Sequence, residues 1–187
     1  PIVPDDRAML DRTLDDALGR ADIVILNGGS SKGGEDHSAR LLHDRGKVLC
    51  HGVATAPGRP LCAAMVEGKP VVNLPGPFIA AYHGFEWCIG ALVSYCLHQP
   101  RPERRTLEAT LDDGLPGSDK ISLLCSLDVR LGSDGGYVAH PIDFRQSSSA
   151  RTASANAQYM TSLGGPPPRA GDRIVVELLR EPGSIRR

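Results

Sequence analysis

The sequence lacks a charge excess of either sign: 21 basic and 22 acidic side chains give a formal net charge of −1. That balance excludes the cationic footprint of a nucleic-acid or anionic-membrane binder, so any anion held here must be held by local groups. CxxC pairs are missing as well. The five cysteines, Cys50, Cys62, Cys88, Cys96 and Cys125, are odd in number, widely spaced and mostly set in apolar surroundings. This argues against zinc or dithiol redox chemistry and suits reduced core residues of a cytoplasmic protein. The six histidines show no metal-ligand spacing. His43 and His51 fall in different predicted elements, and satisfied structural or surface roles are the expectation. No positively charged start leads into an apolar h-region, so no secretory signal is expected. Residues 78–97 are long enough to suggest a membrane span, but they contain His83 and Glu86 and read as a packed helix. No internal repeat is present, and no low-complexity tract beyond a serine-rich piece at 147–157.

What is present is organised around one stretch. Ala21-Asp22-Ile23-Val24-Ile25-Leu26 is a short β-branched apolar run, expected to be a strand buried on both faces. It changes at once into Asn27-Gly28-Gly29-Ser30-Ser31-Lys32-Gly33-Gly34-Glu35-Asp36, a glycine-rich polar loop. Residues 37–45 then carry Ala39, Leu41 and Leu42 among charges and stop at Gly46, which reads as a short helix ended by a C′ glycine. Strand, glycine loop and helix is the local plan of an anion site, because glycines let backbone N–H groups approach a ligand and the helix adds its positive dipole end. A mobile connection is the plainer alternative. Asp36 is either an N-cap or a functional carboxylate.

At 187 residues the chain can bury a sizeable core. Asp5-Asp6 precede an apolar stripe of Met9, Leu10, Leu14, Ala17 and Leu18, which predicts a helix stopped at Gly19. Residues 48–53 predict a second strand, so 21–53 reads as a βαβ unit with a parallel pair. Ala56-Pro57-Gly58-Arg59-Pro60 predicts a type II turn, followed by short strands at 61–66 and 71–74. Pro75-Gly76-Pro77 ends the second, and a long helix over 78–97 should pack Phe78, Tyr82, Phe85, Trp87, Ile89, Leu92 and Val93. Cys88 and Cys96 are expected to be core residues of that helix.

At 99–105 two prolines and three arginines replace apolar periodicity, the composition of a linker. Beyond it, β-type runs at 106–111, 120–131, 136–142, 158–163 and 173–179 alternate with turns, among them a hairpin turn at 132–136. A proline- and glycine-rich connection covers 164–172, and one helical turn is expected within 147–157. The expected division is an α/β domain over 1–98, a linker over 99–106, and a small all-β barrel or sandwich over 107–187.

The loop at 27–36 resembles the GGVSxGxxD loop of the MoeA-type molybdopterin molybdenumtransferases, the family that includes the E domain of gephyrin. Ala56-Pro57-Gly58-Arg59-Pro60 resembles the family's KPGKP turn and Leu74-Pro75-Gly76-Pro77-Phe78 its LPGNP loop, in the same order. Asp5-Asp6 fall where the family carries an acidic pair. The resemblance implies a MogA-like parallel α/β sheet, incomplete at its N-terminus, followed by a barrel-like β domain. It implies insertion of molybdate into adenylylated molybdopterin with Mg²⁺-dependent release of AMP, in a cytoplasmic homodimer with no nucleic-acid or membrane partner. On that resemblance Asp36 and Asp5 take catalytic and Mg²⁺-binding roles. Gly28, Gly29, Ser30, Ser31, Lys32, Gly33, Arg59, Pro75 and Gly76 bind substrate. The residue types suit the chemistry: carboxylates for Mg²⁺, cations for phosphate or molybdate, and a glycine loop for the pterin's phosphate.

The departures matter too. Ala56 stands where the family's turn begins with Lys; Pro77 and Phe78 replace Asn and Pro, and Ala80 replaces a small polar residue, so hydrogen-bonding groups are lost. Ser30 and Lys32 replace valines, the latter adding positive charge. These point to a divergent paralogue. Because the sequence starts at the acidic pair, the resemblance also implies a C-terminal part of a longer protein. Two alternatives stand beside the transferase: a non-catalytic pterin-binding or scaffold relative, and a molybdopterin adenylyltransferase, against which the β tail argues. Taken alone, Asp5 is a helix-start acid, Arg59 a surface arginine, and Pro75 and Gly76 turn formers.

Overall fold

The computed structural model describes residues 1–29, 37–143, 150, 153–180 and 185. Two compact units account for the chain: residues 1–53 with 58–101, and residues 54–57 with 102–187.

The first unit is a four-stranded sheet with helices on both faces. Helix α1 (Arg7–Arg20) is capped by Asp6, whose side chain accepts from the Met9 N–H at 2.8 Å. It runs one residue past Gly19. Strand β1 (Val24–Asn27), helix α2 (His37–Arg45), strand β2 (Lys47–His51), strand β4 (Cys62–Val66) and strand β5 (Lys69–Leu74) follow. The sheet order is β1-β5-β4-β2, with β1 parallel to β5 and the other pairs antiparallel. The fold class is thus α/β, but the sheet is mixed and the expected β1–β2 pair does not form. The reason is the β4–β5 hairpin. Glu67 and Gly68 both take positive φ (51° and 78°), the geometry of a tight two-residue turn, and such a turn can join only antiparallel neighbours. The hairpin therefore fills the sheet between β1 and β2.

Leu14, Leu18, Leu41, Leu42, Val24 and Val71 form the core on the α1/α2 side. Each fully buried Leu or Val there contributes roughly 1.5–3 kcal/mol by leaving water. On the opposite side Leu61, Val72, Leu74 and Ile89 cluster. That cluster does not reach the middle of β1, which pairs with β5 alone, so Ile25 stays 43% exposed and β1 is not buried on both faces as expected. Gly46 follows α2 but has no left-handed φ. An added Cβ would stand 2.5 Å from the Met65 carbonyl oxygen, so glycine serves close approach of helix end to β4 rather than a C′ cap.

The helix after β5 is interrupted: α3 (Phe78–Gly84), a π-helical turn (Phe85–Ile89) and α4 (Gly90–Cys96). It packs by small residues. Ala80 is buried, and a Cβ on Gly84 would meet Leu61 Cδ1 at 2.8 Å and Leu74 Cδ2 at 3.0 Å. The broad aromatic packing surface expected here is not formed: Phe78, Tyr82, Phe85 and Val93 are exposed, because close approach through Ala80 and Gly84 turns the larger side chains outward. Among the described residues, no helix is long and apolar enough to cross a membrane.

The second unit is a closed five-stranded barrel. Strands β6 (Thr106–Leu111), β7 (Ser122–Leu131), β8 (Tyr137–Pro141), β9 (Ala157–Met160) and β10 (Arg173–Leu178) pair in the order β7-β8-β6-β10-β9, and β9 returns to β7. Closure leaves no edge between these strands. Strand β3 (Thr55–Ala56) pairs in parallel with the start of β7, which places 54–57 in this unit. Leu111, Leu127, Val129, Ala139 and Val176 fill the interior. Buried Asn156 binds the Val129 backbone twice, accepting from its N–H at 2.7 Å and donating to its C=O at 2.8 Å. At 132–136 the expected hairpin turn forms, with Gly132 N–H donating to the Gly136 carbonyl at 2.7 Å. The helical turn expected within 147–157 falls mostly outside the described residues.

Candidate functional site

Parallel pairing of β1 with β5 sets Asn27 level with Leu74, so both strands end at one edge and their loops leave side by side. Asn27 Nδ2 donates to the Pro75 carbonyl at 3.1 Å, and the Gly28 N–H to the Leu74 carbonyl at 3.0 Å. A Cβ on Gly76 would lie 4.0 Å from Gly28 Cα, so the two glycine loops are in van der Waals contact. Four of the predicted binding residues, Gly28, Gly29, Pro75 and Gly76, are thus brought together from places almost fifty positions apart.

Gly28 and Gly29 have φ of 94° and 57°, in the region that favours glycine. Gly29 is also closed in by the start of α2: its carbonyl accepts from the Ala39 N–H at 3.0 Å, and an added Cβ would meet Ser38 Oγ at 2.8 Å. The same carbonyl accepts from Asn73 Nδ2 at 3.3 Å. Asn73 is fully buried, and its Oδ1 has no hydrogen-bond partner among the described residues. This residue escaped the sequence reading; the available signal was a lone amide inside the apolar run ahead of Pro75-Gly76.

Arg59 is exposed and precedes β4, whose first residue Cys62 pairs with Asn73. It therefore stands at the same end of the sheet as the two loops, with β5 between it and β1. Its carbonyl is engaged by the Val53 N–H at 3.0 Å. Asp5 lies exposed ahead of α1, and the capping role belongs to Asp6. The next residue, Arg7, is tied at 2.7 Å to Asp44 in the last turn of α2, the end away from the glycine loop. Ser30, Ser31, Lys32, Gly33 and Asp36 lie outside the described residues.

Among the described residues, no group of three or more His, Cys, Asp or Glu side chains is arranged to hold a metal ion. The thiols of buried Cys62 and half-buried Cys125 stay protonated near neutral pH: desolvation pushes both up to about 11, with the Cys50 thiol adding to the effect on Cys62. What the loop end of the sheet can do chemically is receive a ligand against half-buried Gly28 and Gly29 and exposed Gly76, beside a helix start.

Residues 1–94 match the model of a family described as a probable molybdopterin binding domain. A Methanocaldococcus jannaschii protein named for molybdopterin biosynthesis is 33% identical over 85 residues, which are 46% of this chain and 21% of that protein. The molybdopterin molybdenumtransferase of Haemophilus influenzae is 29% identical over 93 residues, 50% of this chain and 23% of the relative. The match therefore spans less than a quarter of either curated relative. A molybdopterin biosynthesis MoeA protein from Pyrococcus horikosii shares the fold at a TM-score of 0.75 and 22% identity, over 95% of this chain and 42% of that one.

Proposed function

This chain belongs to the probable molybdopterin binding domain family, and on that premise we propose that the joined loops at 27–36 and 74–77 hold the phosphate and ring of a molybdopterin. The observation that carries the reading is the contact between the two loop roots, Asn27 to Pro75 and Gly28 to Leu74. In the fuller reading the site serves insertion of molybdate into adenylylated molybdopterin with release of AMP; the Haemophilus influenzae relative is named a molybdopterin molybdenumtransferase.

In this reading Gly28, Gly29 and Gly76 offer backbone to the ligand, Pro75 stiffens the second loop, and Ser30, Ser31 and Gly33 complete the cradle. Lys32 and Arg59 neutralise phosphate or molybdate. Mg²⁺ would be held by Asp36 and Asp5. Magnesium is commonly bound by one or two carboxylates together with substrate phosphates; among the described residues no group of three or more ligating side chains gathers at Asp5, and no step is routed through the ion. One observation favours the second reading, a non-catalytic pterin-binding or scaffold relative. Pro77 is the N-cap of α3 and makes no side-chain cap bond, and the neighbouring Phe78 is 57% exposed, so neither side chain supplies a polar group to a ligand.

Fluorescence titration of molybdopterin into this chain tests the binding reading. Saturable binding is expected, weakened at least tenfold by Gly29→Val or Gly76→Val; binding indifferent to both would overturn it. With adenylylated molybdopterin, molybdate and Mg²⁺, the bare chain is expected to form no cofactor at a useful rate, since it spans a small share of its relatives and lost positioning removes much of a catalytic advantage. Robust turnover would refute that expectation.

A further inference from the structure

On the β2 side of the sheet, two strands away from β5, two histidines that the sequence places in different elements meet. His43 lies in the last turn of α2 and His51 ends β2. His43 Nε2 and His51 Nδ1 are 3.0 Å apart, and the ring centroids 5.2 Å apart with planes inclined by 47°. Each ring is carried by an anchored backbone: α2 is held by buried Leu41 and Leu42, and His51 is paired with Cys62 of β4. His43 is exposed and His51 half-buried, so solvent and ions reach the pair.

Two neutral imidazoles facing each other share one N–H between two nitrogens. The same separation suits two neighbouring ligands of one ion. With metal–nitrogen bonds of about 2.0–2.1 Å, nitrogens in adjacent positions of a tetrahedral or square site stand about 2.9–3.4 Å apart. We propose that His43 and His51 form a two-histidine chelate for a borderline divalent transition metal such as Zn²⁺ or Ni²⁺, with water in the remaining positions. On binding, a modest turn of the rings aims both facing lone pairs at the ion. The ring that had donated moves its proton to its other nitrogen, so no net proton is released.

The donor set decides the class of ion. Imidazole favours zinc, nickel and copper, whereas magnesium demands oxygen ligands, so this site selects a different class of ion from the carboxylates assigned above. Neighbouring Cys62 does not compete, because burial keeps it a neutral thiol near pH 7. With only two protein donors the site stays open, and its ion exchanges readily.

Calorimetric titration of the whole chain with Ni²⁺ and Zn²⁺, and with Mg²⁺ as the hard-cation control, tests this. One-to-one saturable binding of Ni²⁺ and Zn²⁺ is expected, undiminished by Mg²⁺ in excess. His43→Ala and His51→Ala should each weaken binding at least tenfold, while Cys96→Ser, which removes the exposed thiol, should leave it unchanged. Nuclear magnetic resonance of the unaltered chain supplies a readout that needs no variant: the His43 and His51 ring signals should move first on adding Zn²⁺. Absence of saturable binding, binding that survives in both histidine variants, binding lost in Cys96→Ser, or unmoved ring signals would each overturn the proposal.

Discussion

Asn27 Nδ2 donates to the Pro75 carbonyl oxygen at 3.1 Å, joining the root of the glycine-rich loop to the Pro-Gly turn across 48 positions of sequence. The bond exists because β1 and β5 are parallel neighbours ending at the same level. A ligand entering there meets glycine backbone from both loops at once.

Phosphate or molybdopterin is therefore expected to shift the amide resonances of Gly28, Gly29 and Gly76 together. Gly29→Ala should weaken that response at least tenfold, since its φ of 57° and the nearness of Ser38 Oγ, 2.8 Å from the added Cβ, force the loop root to move. A titration in which none of the three amides responds to either ligand counts against an anion site.

Gly46→Ala should lower stability by about 1–3 kcal/mol, read as a reduced urea midpoint at unchanged slope. The added methyl would be driven against the Met65 carbonyl and Val66 Cγ2, neither of which can yield without moving β4. Gly46→Asn should be at least as damaging. A left-handed cap would have tolerated asparagine, so a benign Asn variant would contradict the packing explanation.

Alkaline pH should destabilise the fold. In the native chain Cys62 and Cys125 ionise only near 11, because burial disfavours the thiolate, whereas exposed in the unfolded chain they ionise near 9. The unfolded state then holds fewer protons between these values, so stability is whole below about pH 9 and falls as pH rises toward 11. Urea midpoints measured at about pH 8 and pH 10 should differ, and Cys125→Ala should flatten the dependence. An equal slope in that variant would remove Cys125 from the explanation.

Self-association through the first unit is expected as well. Ile25, Phe78, Tyr82 and Phe85 are large apolar side chains left open to solvent there. Light scattering at roughly tens of micromolar should report a dimer, on the scale a modest interface supports. Phe85→Glu should return it to monomer. A monomer across that range in the unaltered chain would contradict the expectation.

Most elements, and the chemistry of their ends, were legible in local sequence. Alternation along Arg173–Leu178 reads directly as a strand with one face buried, and the Gly132-to-Gly136 turn as a hairpin closure. Helix α2 was legible to the residue, as were the glycine loop and the Pro-Gly turn as separate motifs. These signals are local, set by periodicity and turn chemistry within a few residues.

Which element neighbours which was settled by packing. That β5 rather than β2 lies beside β1 depends on the hairpin at Glu67-Gly68 filling the sheet, and it is this that brings Asn27 to Pro75. Gly46 reads in sequence as a helix stop and Gly84 as a position inside a long helix, yet each is required by atoms from distant segments: the Met65 carbonyl for one, Leu61 and Leu74 for the other. Asn73 under the loop and the meeting of His43 with His51 belong to the same class. Contacts between segments tens of residues apart leave no period in the sequence, because they are selected by which packing fills space without stranding backbone polar groups.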